Sequence, residues 1–409
     1  MRRRQFLAHA AAGLMLPLAS GSWYARATEP DPRRLIVVFL RGAVDGLNVV
    51  VPYGDDDYYD ARRSIAVRPP GREHGVLDLD RHFGLHPALA PIVPLWQAGH
   101  LAFLHASGSP DPTRSHFDAQ IYMENGTPGR SSVPDGWMNR LLGLLPDARS
   151  PTRAIAFGPQ IPRILAGPQV VANLANASEV GRELAIDRPA VSDAFARLYG
   201  GTDALSRTVQ ESKESRQQMA MAAGDDKEQM AANGGAPLPN GFPSDAARLA
   251  RMMRADPTIR LGFFALGGWD THINQGAGEG QLAGHLRPLA AGLAALATGL
   301  GPAFDDSLIL VMSEFGRTVH ENGNGGTDHG HGNVLWALGG RVAGGRVHGT
   351  WPGLRQDQLY QQRDLAVTTD FRLAVGPTVT RHLRLPDSAI AMLFPDLPAG
   401  AAPVSLLRT

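Results

Sequence analysis

The chain has no cysteine among its 409 residues. That excludes disulfides, thiolate zinc sites, cysteine nucleophiles and lipid attachment through sulfur. Any metal must be held by oxygen and imidazole. Net charge is also missing, since 39 Lys and Arg balance 39 Asp and Glu, and no basic surface argues for nucleic acid. The apolar run of residues 8–19 is too short to remain as a membrane span, so no stable span is expected. The turn Gly42-Ala43-Val44-Asp45-Gly46 has neither the Gly-Lys-Ser/Thr ending of a phosphate-binding loop nor the spacing of the dinucleotide fingerprint. No internal repeat of solenoid length is apparent.

What is present begins with a basic start, Met1-Arg2-Arg3-Arg4-Gln5-Phe6-Leu7, ahead of that weakly apolar run and closed by Ala25-Arg26-Ala27. Paired arginines, a modest apolar stretch and a small-x-small site make a twin-arginine export signal, with cleavage expected after Ala27. The twin-arginine translocase is then a partner during export, and the periplasm or the exterior is the destination. Such substrates cross the membrane already folded, which suits a protein whose metal is installed beforehand.

The remainder, residues 28–409, reads as one α/β domain. A hydrophobic content of 43% is ample for a core, and 47 glycines with 31 prolines imply many loops at strand ends. Leu35-Ile36-Val37-Val38-Phe39-Leu40 is a continuous apolar run of the kind buried on both faces of a sheet. Similar runs recur at residues 101–105, 154–157, 261–266, 308–312 and 334–338, with helix-like stretches at 88–98 and 281–300. That alternation predicts a mostly parallel sheet between two helical layers, with ligands bound beyond the carboxyl ends of the strands. From about residue 203 to 241 the pattern breaks into a charged stretch followed by Asn233-Gly234-Gly235 and prolines, predicting a solvated helix and mobile linker inserted in the domain.

Carboxylates and imidazoles gather at the predicted strand ends. Asp45 follows the first strand, Gly268-Trp269-Asp270-Thr271-His272 follows the run at 261–266, and Ser313-Glu314-Phe315-Gly316-Arg317-Thr318 follows that at 308–312. Gly326-Thr327-Asp328-His329-Gly330-His331 comes soon after. These are hard and borderline ligands for divalent ions, although Asp45 on its own is equally a turn or capping residue. A further segment, Asp111-Pro112-Thr113-Arg114-Ser115-His116, combines two hydroxyls, an arginine and a histidine. It suits a nucleophile, an anion clamp and an acid or base. It equally suits a proline-defined turn with Asp111 or Ser115 capping a helix.

In chain order, these stretches and Thr369-Asp370-Phe371-Arg372 closely resemble the bacterial exported family catalogued as domain of unknown function 1501, over residues 34–394. That family in turn looks like a branch of the alkaline phosphatase superfamily, which includes the sulfatases. The resemblance implies a three-layer α/β/α fold, two divalent ions (Zn, Mn, Mg or Ca), and a serine or threonine nucleophile. By position, Asp45 is similar to the first-strand ligand, Asp270 and His272 to the aspartate and histidine of one metal site, Glu314 to a late-strand aspartate, and His329 to the final histidine. Where the superfamily has a histidine after its late-strand aspartate, this chain has Phe315, which leaves His116, His320 or His331 to substitute. Pro110 stands where sulfatases carry the residue that becomes formylglycine, which argues against an ordinary sulfatase. The implied activity is metal-dependent hydrolysis of phosphate or sulfate esters, small or polymer-linked, with Thr113 or Ser115 attacking, His116 as acid or base, and Arg114 or Arg317 holding the anion. The alternative is a non-catalytic periplasmic binding or assembly protein that keeps the fold and part of the metal site.

Overall fold

Uninterrupted runs of aliphatic and β-branched residues bury both of their faces as central strands, and the computed structural model of the chain is built on them. It describes residues 32–146, 151–176, 232–398 and 402–408; the export segment and residues 203–231 of the polar stretch lie outside the described residues. The strands of the main sheet are β1 (Arg34–Leu40), β2 (Leu101–Gly108), β3 (Ala154–Phe157), β4 (Ala172–Leu174), β5 (Leu261–Leu266), β6 (Ser307–Ser313), β7 (Asn333–Leu338), β8 (Val347–His348) and β9 (Thr369–Asp370). Their order is β8-β2-β7-β6-β1-β5-β3-β4, with β9 also paired to β2.

Strand β1 lies parallel to β5 and β6, and β3 is parallel to β5 and β4. Strand β7 alone in this sheet runs antiparallel, against both β2 and β6. Its amino end therefore sits at the edge where its neighbours end. The segment leading into β7, residues 326–332, is delivered to that same edge.

Side chains alternate across β1. Ile36, Val38 and Leu40 join a core with helices α3 (Phe242–Ala255) and α4 (Gln281–Leu300). Leu35, Val37 and Phe39 join a second core with α2 (Trp137–Leu144) and α5 (Phe371–His382). Period-two alternation into two helical layers makes the fold a three-layer α/β/α sandwich, and each of these fully buried side chains contributes about 1.5–3 kcal/mol. The helical stretch expected at 88–98 is broken: a 3₁₀ segment, Pro87–Ile92, precedes a short helix, Val93–Gln97. Pro91 and Pro94 lack the N–H groups that a continuous helix requires. Helix α1 (His116–Asn125) follows β2 at the carboxyl edge of the sheet, and Ser115 is its N-cap.

Candidate metal centre

Two close backbone approaches assemble the edge. Gly42, just past β1, has φ of +110°, and a Cβ there would stand 2.8 Å from the Asp270 backbone nitrogen, so only glycine lets these strand ends meet. Its N–H donates to Glu314 Oε1 at 2.8 Å. Beyond β6, the Gly316 N–H donates to the His331 carbonyl at 2.9 Å and the Gly330 N–H to the Gly316 carbonyl at 2.8 Å. This short two-stranded contact holds His329 opposite Arg317.

Four side chains then converge. The Nε2 atoms of His116 and His329 are 3.0 Å apart, as are those of His272 and His329. The Asp270 carboxylate lies 3.5 Å from His116 Nε2, 3.0 Å from His272 Nε2 and 3.3 Å from His329 Nε2. Each imidazole turns its other nitrogen outward to an acceptor: His116 Nδ1 to Glu314 Oε1 at 2.8 Å, His329 Nδ1 to the Arg114 carbonyl at 2.9 Å, and His272 Nδ1 to Asp328 Oδ1 at 3.2 Å. A ring that donates from Nδ1 presents a lone pair at Nε2. Lone pairs facing one another at 3.0 Å repel unless a proton or a metal ion stands between them. Outer carboxylate and carbonyl partners of this kind orient metal-bound histidines. The donor set also fits zinc in size, because bonds of about 2.0–2.1 Å in a tetrahedron place ligand atoms roughly 3.3 Å apart. Among the described residues His116, Asp270 and His329 form a ligand group with all three donor atoms within 4.8 Å of one another, and His272 Nε2 flanks it beside His329 and Asp270.

The charges agree with a cation site. Burial pushes the Asp270 carboxyl up, but hydrogen bonds from His116, His272 and His329 and the charge of Arg317 outweigh it and hold the group far below the usual range. Burial likewise raises Glu314, and its bonds from His116 and Gln120 bring it below normal. For His116 burial acts downward, whereas hydrogen bonds to Asp270 and Glu314 and their charge raise it to about 9. Two carboxylates thus stabilise positive charge at one imidazole. The centre opens to solvent on one side, where the side chains of His272 and His329 are 35% and 25% exposed.

The residues singled out from sequence fall into two groups. Asp270, His272, His329 and His116 come together as described. Asp45 is fully buried, with Arg62 donating to both of its oxygens at 2.5 and 3.0 Å and Gln275 donating to Oδ2 at 2.6 Å. Glu314 faces the outer nitrogen of His116 and not the converging atoms. His331 stacks on Tyr360 with ring centroids 4.5 Å apart, outside the cluster. Thr113 Oγ1 accepts the Ser115 N–H at 3.2 Å, and Ser115 Oγ accepts the Asp118 N–H at 3.4 Å. The Arg114 guanidinium binds Asp364 at 2.5 Å and Gln361 at 2.8 Å, while its backbone carbonyl lies on the Nδ1 side of His329, opposite the inward nitrogen. Sequence reasoning missed Arg62, Gln275 and the anchoring roles of Asp328 and Gln120. Of these, only Asp328 carried a signal, standing next to His329 in the same glycine-flanked motif.

Among solved structures, similarity extends to the C-terminal periplasmic domain of EcEptC from Escherichia coli in complex with Zn, at 9% identity over 76% of this chain and 73% of that one, TM-score 0.35. It extends also to a 2-O GAG sulfatase, at 10% identity over 91% and 73%, TM-score 0.37. The lipoteichoic acid synthase LtaP from Listeria monocytogenes matches at 10% identity over 79% and 67%, TM-score 0.31. No curated protein matches the sequence. Among the described residues no helix is long and apolar enough to cross a membrane. The model of the family described as "Protein of unknown function (DUF1501)" matches residues 32–394, and the chain belongs to that family.

Proposed function

We propose that this protein is an exported, zinc-class metalloenzyme that hydrolyses phosphate or sulfate esters. The observation that carries this reading is the clustering of His116 Nε2, His329 Nε2 and the Asp270 carboxylate, flanked by His272 Nε2 at 3.0 Å from His329 and Asp270, with each imidazole anchored from behind. Three nitrogens and one oxygen favour zinc over magnesium or calcium, which prefer all-oxygen sites. A bound ion there supplies a Lewis acid that polarises an ester oxygen.

The chain's own contribution lies in orientation and charge. Arg114 and Arg363 share one buried carboxylate, Asp364, at 2.5 and 3.7 Å, and Arg363 also donates to the His329 carbonyl at 2.7 Å. Both guanidiniums are partly exposed near His329, where they can meet an anionic ester. Thr113 and Ser115 serve the turn behind His329, so water is the attacking group in this reading. Arg317 spends its donors on Asp270 and Thr327 and does not clamp substrate.

A panel of phosphomonoesters, phosphodiesters and sulfate esters tests the reading. Turnover should vanish with chelator, return with zinc, and survive Thr113→Ala and Ser115→Ala. Loss in either alanine variant with metal retained would point to a side-chain nucleophile instead. Absence of metal-dependent turnover across the panel would favour a non-catalytic metal-binding protein, a reading supported by the four protein donors, which already complete a tetrahedron of the structural type. Export through the twin-arginine route is part of the same proposal: Arg3→Lys with Arg4→Lys should strand folded precursor in the cytoplasm, and normal export of that variant would refute it.

A further inference from the structure

We propose that the centre holds a single ion, and that the guanidinium groups of Arg62 and Arg317 occupy the place a second ion would take. The inference rests on the metal reading above and departs from the two ions that the superfamily resemblance implies. A neighbouring ion would need carboxylate oxygens not already claimed. Asp45 has none, since Arg62 donates to both oxygens and Gln275 to one. Glu314 Oε1 accepts from Gly42 N, His116 Nδ1 and Gln120 Nε2, and its buried Oε2 lies 3.0 Å from Ser313 Oγ, whose hydroxyl also reaches the Leu40 carbonyl at 2.6 Å. Glu314 is therefore a positioning residue: it acts through His116, turning Nε2 toward the cluster as a fourth donor.

Both guanidiniums are held in place, and all five Arg62 donors are used. Arg62 donates also to Asn48 Oδ1, the Thr318 carbonyl and the Val319 carbonyl, and its side chain is 0% exposed. Arg317, equally buried, donates to Asp270 Oδ1 at 2.5 Å and to Thr327. Gln275 joins the two halves, donating to Asp45 while its Oε1 accepts from Thr271 and Thr327 hydroxyls at 2.6 and 3.0 Å. Four carboxylates (Asp45, Asp270, Glu314 and Asp328, which holds His272) and two guanidiniums sum to −2. One divalent ion brings this to 0, and two would bring it to +2, with the second on the buried side beside Arg62 and Arg317. Such uncompensated buried charge is strongly unfavourable.

The test is zinc content per chain after loading and gel filtration, for the wild type and Asp45→Asn, together with zinc-edge X-ray absorption of the wild type. The expected result is one ion per chain in both proteins and no metal–metal scattering. Two ions in the wild type falling to one in Asp45→Asn, or a metal–metal distance of about 3.5–4 Å, would overturn the inference while leaving the metal reading intact. No ion in the wild type would instead remove the metal reading itself. If Asp45→Asn does not fold, the absorption measurement on the wild type alone decides the question.

Discussion

Arg62→Met offers the sharpest view of how the site edge is stabilised. Methionine fills much of the volume of the arginine stem but supplies no donors. The Asp45 carboxylate, fully buried, would keep only the Gln275 amide as a partner. Removing one member of a buried ion pair costs about 3–5 kcal/mol, because the remaining charge stays desolvated without compensation. The Thr318 and Val319 carbonyls and Asn48 Oδ1 lose donors as well, which places the expected loss at the upper end of that range. Against a total stability of about 5–15 kcal/mol, the variant should unfold at markedly lower urea with an unchanged m-value. Arg62→Lys should fall between, since it restores a charge but not the bidentate geometry. A loss below about 1 kcal/mol, the scale of a solvent-exposed pair, would refute the reasoning and mean that Asp45 is compensated by another cation.

Three further outcomes follow from the same geometry. Glu314→Gln should weaken zinc binding by roughly 10–100-fold, the usual effect of removing an outer partner of a metal-bound histidine; isothermal competition with a chelator measures it, and unchanged affinity would leave Glu314 a purely structural residue. In the metal-free protein the His116 pKa is raised from its ordinary 6.5 to about 9, so its contribution to stability is complete below about pH 6.5 and is lost as pH rises through about 9. Zinc needs the unprotonated nitrogen and binds more tightly over that same interval, so the gap in Tm between zinc-loaded and zinc-free protein should widen from pH 6.5 to 9; a constant gap would contradict it. Ser115→Ala should cost about 1 kcal/mol through loss of the α1 cap, read by urea unfolding, without changing zinc content.

The strands that position the site were legible because each is a short run of apolar residues buried on both faces, as at residues 35–40 and 308–312, and such runs have few other ways to fold. The orientation of β7 was not legible. Nothing in Asn333-Val334-Leu335-Trp336 distinguishes an antiparallel strand from a parallel one, yet that reversal brings His329 to the edge. Among the proposed ligands, Asp270, His272 and His329 stood out through glycine-flanked motifs at strand ends. His116 remained ambiguous, because a helix start and an acid or base share the same residue types. Arg62 and Gln275 carried no signal: their partner Asp45 lies 17 and 230 residues away in sequence, and a polar side chain without periodicity does not announce its burial.

Anomalous diffraction at the zinc absorption edge, from crystals of zinc-loaded protein, tests the central claim most directly. The account predicts one anomalous peak per chain, about 2.0–2.1 Å from the Nε2 atoms of His116, His272 and His329 and from a carboxylate oxygen of Asp270. No peak among those four side chains in zinc-saturated crystals, or an ion held instead by Asp45 and Glu314, would contradict it.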